Sequence, residues 1–393
     1  MPARKLRLGM VGGGRGAFIG SVHRMAARLD GYYEIVAGAF GTNPARSVED
    51  GVAFGVALDR AYPDFHAMAA RESERDDRID VVSIVTPNQM HFPIAREFLA
   101  AGYNVICEKP LTTSLVDALE LVRLTKATGS IFTLTHNYSG YPMVREARDL
   151  VRAGALGPLR VVQVEYAQDW LCTRLEATEQ KQASWRTDPA RAGVAGSLGD
   201  LGTHAHHLLR FITGLEVEAV CADLASIVAG RALDDNAHVL MRLSKGVRGM
   251  LWVSQVCPGN ENALRIRVYG EKAGLEWAQE QPNQLRFTPL GEAPRVIYRG
   301  GAQAGGAARH ATRLPPGHPE GYIEAFAQIY ADTAELIHAK LEKRAPNPLT
   351  TVVPSAVDGA IGVEFLEACI ASAAQNGRWV NPPTPQWPGR LRP

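Results

Sequence analysis

The stretch Leu8-Gly-Met-Val-Gly-Gly-Gly-Arg-Gly-Ala-Phe-Ile-Gly20 decides the fold. It opens as an apolar strand, passes through Gly12-x-Gly14-x-x-Ala17, and closes on the first residues of a helical pattern. Gly12 allows the tight turn, Gly14 lets the backbone approach a pyrophosphate, and Ala17 permits close helix packing. The N-terminus of the following helix offers orphan amide donors and the positive end of its dipole to phosphate groups. A dinucleotide is the ligand this spacing predicts.

Around this stretch, from Leu6 to about Tyr138, short apolar runs alternate with amphipathic ones. Residues 6–11, 35–40, 81–85, 105–107 and 131–135 read as strands, and residues 17–29, 93–101 and 115–128 as helices. Nearly continuous apolar strands separated by helices indicate a doubly wound parallel sheet, an α/β Rossmann arrangement. After Gly140 the pattern changes to consecutive strand-like runs (160–166, 217–227, 237–243, 248–255, 264–269, 285–288) joined by turn signals. That pattern predicts an α+β domain with a large, mostly antiparallel open sheet. The expected division is 1–138 for dinucleotide binding and 139–393 for substrate binding and oligomerisation. Residues 299–319, rich in Gly, Ala, Arg and Pro, fit either a lid or a long connection. Helices are expected over 320–340 and 355–374.

With 46% hydrophobic and 21% charged residues, the 393-residue chain can bury two cores. Lys+Arg 42 against Asp+Glu 41 leave a formal charge of +1 with no long run of one sign, which argues against nucleic acid and anionic membranes as partners. The five cysteines are scattered and make neither a disulfide framework nor a zinc ribbon. No stretch approaches the roughly 20 apolar residues that span a bilayer, and the N-terminal apolar run is too short for a signal segment. A cytoplasmic protein is expected.

Three further motifs stand at element ends. The second strand closes on Phe40-Gly41-Thr42-Asn43-Pro44-Ala45-Arg46, without the acid that would hold an NAD ribose. NADP is therefore permitted, with Thr42, Asn43 or Arg46 toward its phosphate, and the choice between NAD and NADP stays open. Thr86-Pro87-Asn88 and Glu108-Lys109-Pro110 follow the next two strands, where open α/β sheets bind ligands. The residue before a proline is biased to extended backbone, which aims Lys109. The last motif, Gly199-Asp200-Leu-Gly-Thr-His204, is followed by His206 and His207.

Taken together, the glycine cradle, Thr-Pro-Asn with His91 after it, Glu-Lys-Pro and Gly-Asp-x-Gly-Thr-His resemble the Gfo/Idh/MocA family of sugar and inositol dehydrogenases, over essentially the whole chain. The resemblance implies a Rossmann domain, then an α+β domain whose open sheet builds homodimers or homotetramers, and NAD(P) as cofactor. By analogy Lys109, Asp200 and His204 match the catalytic positions. Cofactor contacts are expected at Gly12, Gly14, Arg15, Ala17, Phe18, Ile19, Thr42, Asn43, Arg46, Thr86, Pro87, Asn88, His91, Glu108, Lys109 and Asn137. Two departures bear on the polyol subsite: His207 stands where the family often has aspartate, and Asn137-Tyr138-Ser139 where it often has Asn-x-Arg.

If a helix begins near 199–201, Asp200 and His204 project from one face. A neutral imidazole suits proton removal from a secondary hydroxyl near neutral pH, while the Lys109 ammonium favours the developing alkoxide. Asp200, His204 and His207 also have the spacing of a three-ligand zinc site, although hydride transfer needs no metal. His206 reads as a packing residue. Gln168, Trp170, Trp185 and Arg186, with Tyr138, His318 and Tyr322, are the expected substrate contacts, because aromatic faces and hydrogen-bonding side chains suit sugar rings. Trp170 and Trp185 also read as loop anchors, with Arg186 paired to Asp188. The expected reaction is oxidation of a ring hydroxyl of a sugar, glycoside or inositol; the resemblance leans to a pyranose or pyranoside over a free inositol, with C3 one candidate carbon. Redox-assisted glycoside cleavage and a non-enzymatic dinucleotide sensor are the rival readings.

Overall fold

Five parallel strands, β1 (Leu6–Gly12), β2 (Tyr33–Ala39), β3 (Val81–Val85), β4 (Asn104–Cys107) and β5 (Phe132–Leu134), lie in the order β2-β1-β3-β4-β5 in a computed structural model that describes residues 4–178 and 180–383. Helices α1 (Phe18–Leu29), α2 (Pro44–Ala53), α3 (Phe65–Ser73), α4 (His91–Ala100) and α5 (Leu115–Thr128) alternate with them. Every residue of β3 and β4 is buried, as a sheet covered on both faces requires. The strand order reverses on either side of β1, so the glycine loop that follows it stands at the switch point where such sheets bind ligands. A Cβ on Gly20 would lie 2.5 Å from Gly13, so this pair lets α1 approach the sheet. Helices α2 and α3 were not legible as periodic patterns; each is set by a cap, Asn43 accepting from the Arg46 amide (3.0 Å) and Asp64 from that of Ala67 (2.8 Å).

The first unit takes in residues up to Thr112, Val116–Gly140 and also Tyr322–Gly359. The expected division placed all of 139–393 in the second domain; the packing returns α11 (Tyr322–Leu341) to the first. Phe326, Ala327, Tyr330, Ala334 and Ile337 share one apolar core with Leu6, Leu8, Val22, Ala26 and Tyr33. At Gly140 a Cβ would lie 2.0 Å from the Ala325 carbonyl oxygen, so the turn after β5 touches α11 directly. The Leu134 amide donates to Pro354 O (2.9 Å), which continues the β5 edge into the segment after α11.

The second unit comprises Thr113–Leu115, Tyr141–Gly321 and the chain from Ala360. Its strands are β6 (Leu159–Ala167), β7 (Val217–Ala225), β8 (Asn236–Leu243), β9 (Arg248–Ser254), β10 (Ala263–Gly270), β11 (Ala273–Ala278), β12 (Gln284–Pro289) and β13 (Arg295–Tyr298). They form one sheet in the order β13-β12-β11-β10-β6-β9-β8-β7, antiparallel except for the β6–β9 pair. Register puts Trp277, Ile266, Val164, Leu251 and Val239 in one row across the sheet, all buried. The neighbouring row, Val296, Arg286, Glu276, Arg267, Gln163, Met250 and Leu240, lies on the other face. Helix α6 (Pro142–Arg152), short helices α7 (Lys181–Arg186) and α8 (Pro189–Ala192), a π-turn (Leu198–Gly202) running into α9 (Thr203–Thr213), and α10 (Gly306–His310) also belong to this unit. Helix α12 (Ala356–Ala373) starts in the first unit and continues in the second. Strands β11 and β13 were missed in the sequence, β11 because its start lies in the Gly-Glu-Lys-Ala-Gly turn signal.

Because α11 completes the first core, Ile337→Ala is expected to cost about 2–5 kcal/mol in that unit. A chain ending at residue 321 should leave the parallel strands open to protease. Thermal melting with limited proteolysis checks both, and a protease-resistant first unit in the shortened chain would show that α11 is dispensable.

Candidate active site

In the first unit the glycine loop has the shape of a phosphate cradle. Gly12 holds φ +85°, and a Cβ there would meet Val85 O at 2.5 Å; at Gly14 one would meet Phe40 O at 2.3 Å. Ala17 caps α1 and donates its amide to Gly14 O (3.0 Å), Phe18 is 65% exposed at the helix start, and Ile19 packs on the core. Arg15 is engaged sideways. Its amide donates to Asp50 Oδ2 (2.8 Å), and its guanidinium pairs with Asp50 and, at 3.3 Å, with Glu49. Burial pushes the Asp50 carboxyl up, but the Arg15 bonds outweigh it and hold the group below the usual carboxylate range. Thr42 and Arg46 are exposed at the start of α2.

Thr86, Pro87 and Asn88 are half-buried in the turn after β3. The Thr86 hydroxyl and the Asn137 amide nitrogen are buried polar atoms without a hydrogen-bond partner in the protein. Buried polar groups are normally satisfied. With the open cradle, these two atoms fit a bound dinucleotide as the missing partner. His91 faces inward: its Nδ1 lies 2.7 Å from Pro110 O and its Nε2 3.0 Å from Thr86 O, tying the Thr-Pro-Asn turn to the Glu-Lys-Pro turn. Burial pushes its pKa down, so the ring is neutral at pH 7 and donates to one carbonyl at a time. Glu108 is also turned inward, bonded to His23 Nε2 (2.8 Å) and to the Thr135 hydroxyl, while the adjacent Lys109 is half-exposed. Tyr138 is 3% exposed and meets Tyr322 edge-on, ring centres 6.5 Å apart.

In the second unit the Gly-Asp-x-Gly-Thr-His segment opens at Leu198, just before the expected 199–201 start, and more widely than an α-helix, on the π-turn. Such turns recur at functional sites. Its first amides are held by Asp234, which the sequence analysis missed: Oδ1 accepts from Gly196 N (2.7 Å), and Oδ2 from Ser197 Oγ (2.7 Å) and Leu198 N (2.8 Å). Burial raises the Asp234 carboxyl, and these three bonds pull it back toward the ionised form. Asp200 Oδ2 accepts from Gln255 Nε2 (3.1 Å) and forms an ion pair with Arg186 Nε (3.4 Å). Arg186 thus partners Asp200, and also Gln182, instead of Asp188, which caps α8 at the Ala190 amide (3.0 Å). Its guanidinium also lies over the Trp185 ring at 4.2 Å.

His204 is buried, with the Tyr166 ring 6.3 Å away. Asn262, also missed, collects the neighbouring polar groups: its Oδ1 accepts from Tyr166 OH (2.6 Å) and Gln168 Nε2 (2.8 Å), and Gln168 Oε1 accepts from Trp170 Nε1 (2.9 Å). No local pattern marks Gln255 or Asn262, because only strand pairing brings them beside residues 166–170 and 200. His206 stacks on Phe365 (4.2 Å, 4°) as a packing residue, and burial pushes the His207 ring well below its ordinary pKa. Among the described residues no three His, Cys, Asp or Glu side chains are arranged to hold a metal ion.

Residues 299–319 carry α10 and are pinned. The Arg299 guanidinium donates to Leu314 O (2.7 Å), Pro315 O (3.2 Å), His318 O and Glu320 Oε1 (2.9 Å), and Glu146 Oε2 accepts from the Gly305 amide (2.7 Å). The His318 side chain is exposed. None of the helices of the described residues is long and apolar enough to cross a membrane.

Asp234→Ala leaves three helix-start donors without their acceptor and is expected to cost about 1–3 kcal/mol. Turnover should fall more than dinucleotide affinity, since the cradle lies in the other unit. Denaturant melts and a cofactor titration read this; equal losses in both quantities would refute it.

Two domain matches cover most of the chain: residues 6–136 match the oxidoreductase family with an NAD-binding Rossmann fold, and residues 144–276 the GFO/IDH/MocA C-terminal domain. An oxidoreductase from Sinorhizobium meliloti has a similar crystal structure, with 48% identity and a TM-score of 0.88, covering 96% of this chain and 100% of that one. An inositol dehydrogenase homolog from Azotobacter vinelandii, complexed with NAD+, has 36% identity and a TM-score of 0.92 over 97% and 98% of the two chains. That homolog is also known with NADH and myo-inositol. A levoglucosan dehydrogenase of Pseudarthrobacter phenanthrenivorans is 26% identical over 424 residues, 97% of this chain and 99% of that one. With its cradle, its Glu-Lys-Pro turn and its Asp-His helix start, the chain belongs to the Gfo/Idh/MocA family and is an oxidoreductase with an NAD-binding Rossmann domain.

Proposed function

We propose that this protein oxidises a secondary ring hydroxyl of a pyranose or pyranoside, with C3 the favoured carbon, and that Lys109, Asp200 and His204 carry the reaction. The observation that supports it most is the built environment of Asp200. Its carboxylate is paired with Arg186 and Gln255 beside the polar row Tyr166, Asn262, Gln168 and Trp170. Rows of amide and hydroxyl groups next to indole faces suit a ring bearing equatorial hydroxyls. The likeness to a levoglucosan dehydrogenase favours a pyranose ring; the likeness to an inositol dehydrogenase homolog with myo-inositol marks a cyclitol as the nearest competitor.

The cofactor, when bound, supplies the hydride acceptor. Gly12, Gly14, Ala17, Thr86, Asn88 and Asn137 would hold it. His204 takes the hydroxyl proton on an imidazole nitrogen as the carbinol C–H electron pair departs, leaving a ketone. Asp200 stabilises the imidazolium that forms and bonds a neighbouring hydroxyl. Lys109 donates a hydrogen bond to the reacting oxygen and favours its alkoxide character. Trp170, Trp185 and Arg186 line the substrate. We also infer assembly as a homodimer or homotetramer through the open sheet face, where Leu240 (52% exposed) and Tyr298 (55% exposed) stand out. Light scattering on a sizing column, giving one chain mass, would overturn that assembly.

Reduction of NAD+ or NADP+ at 340 nm with levoglucosan, glucose, methyl glucosides and myo-inositol tests the function. A pyranose or pyranoside should be the best substrate. His204→Ala and Lys109→Met should each lose roughly 10²–10⁴-fold in turnover with cofactor affinity within a few-fold. Best activity on myo-inositol would overturn the pyranose assignment, undiminished turnover in the variants the catalytic one, and glycoside cleavage without net NADH the simple dehydrogenase.

A further inference from the structure

We propose that Arg231 is a positioning residue for the substrate row of the second unit: its buried guanidinium clamps residues 171–176 to the start of β8, and so holds Gln168 and Trp170 at a fixed spacing from Asp200. The proposal rests on the reading of those three residues as substrate contacts given above.

Arg231 lies in the connection between β7 and β8, with its side chain 1% exposed. All five of its N–H donors are used. Nε and Nη2 donate as a fork to Glu176 Oε1 and Oε2 (both 3.0 Å), and the other three hydrogens go to Leu171 O (3.0 Å), Thr173 O (3.0 Å) and Asp235 Oδ2 (2.9 Å). Asp235 is wholly buried, and its carboxylate also accepts from the Ile227 amide (2.7 Å) and the Val228 amide (3.0 Å). The acid is thus fixed by its own connection, and the guanidinium carries that rigidity across to residues 171–176.

A continuous set of bonds joins this clamp to the substrate row. The Leu171 amide donates to Gln255 O (3.1 Å), the Gln255 amide donates to Asp235 O (2.9 Å), and Gln255 Nε2 donates to Asp200 Oδ2 (3.1 Å). On the other side of Leu171, Trp170 Nε1 donates to Gln168 Oε1 (2.9 Å), and the Gln168 amide donates to Ser254 O (2.8 Å). Leu171 is therefore held at both of its backbone polar atoms, the amide by the residue that bonds Asp200 and the carbonyl by Arg231, with Trp170 next to it in the chain.

Residues 168–174 belong to no helix or strand, so no ladder of backbone bonds sets their path and their carbonyls need partners from elsewhere. A buried cation is a costly partner, and an uncharged side chain of similar volume would fill the space with less desolvation. What the guanidinium adds is direction, since its planar fork meets two carbonyls and two carboxylates at fixed angles, which a lysine ammonium lacks. The Arg231 bond outweighs burial and holds the Glu176 carboxyl below the usual carboxylate range, so this arm of the clamp stays ionised at neutral pH.

The test compares Arg231→Met with the parent in the full chain, using NAD+ and the best of the sugars named above, and reads amide hydrogen exchange over 168–178 beside the kinetics. That segment should exchange faster in the variant. KM for the sugar should rise about tenfold with kcat within about threefold, because contacts to the ring away from the reacting carbon are lost in ground and transition states alike. NADH affinity, read by fluorescence titration, should stay within about twofold, and Arg231→Lys should not restore KM, since it is the fork that acts. Glu176→Gln weakens one arm of the clamp and carries the test, with a smaller rise in KM, should Arg231→Met fail to fold. Faster exchange or a lower melting temperature with KM and the order of preference among the sugars unchanged would make the clamp only structural and overturn the proposal. Parent-like turnover in Asp200→Asn, or a parent silent on every sugar, would instead sink the reading on which the proposal rests and leave the exchange result standing.

Discussion

The apolar face of α11 has to be covered, and the parallel sheet of the first unit covers it. Phe326, Tyr330 and Ile337 lie in the same core as Leu6, Leu8 and Val22, so two stretches separated by some 180 residues of intervening chain (141–321) fold as one body. That burial is what brings the Tyr330 hydroxyl against His23 and Ser83, and it therefore reaches the Glu-Lys-Pro turn. Non-local packing of this kind carries a loop-closure cost before it returns any contact energy. The large apolar area that α11 buries is what offsets it.

The second unit solves a different problem, which is to place a helix start accurately at the end of a sheet. Leu198 and the residues after it run in a π-turn, whose opening donors need an acceptor because no preceding turn supplies one. Asp234, two residues before β8, is that acceptor three times over. Asp200 is fixed from two further directions, by Gln255 beyond β9 and by Arg186 at the end of α7. A carboxylate bonded to a guanidinium and an amide has little rotational freedom.

The two units are built by different means. In the first, backbone shape predominates: glycines where a Cβ would strike a carbonyl oxygen, and inward-facing His91 and Glu108 that hold turns in place. In the second, side chains predominate, in a row running from Tyr166 through Asn262 and Gln168 to Trp170.

By itself the sequence determined the glycine loop after β1, the turns after β3 and β4, and the Asp-His helix start, because each is a local pattern whose spacing already expresses its geometry. It determined the class of both sheets for the same reason, since strand and helix periods are local. The tertiary structure alone decided that α11 belongs with the first unit, that Glu108 and His91 face inward, that Asp234 and Gln255 brace the turn that opens α9, and that Asn262 joins Tyr166 to Gln168. Those partners are set by strand register and helix docking over tens to hundreds of residues, and a side chain's hydrogen-bond partner at that separation leaves no periodic trace in the chain.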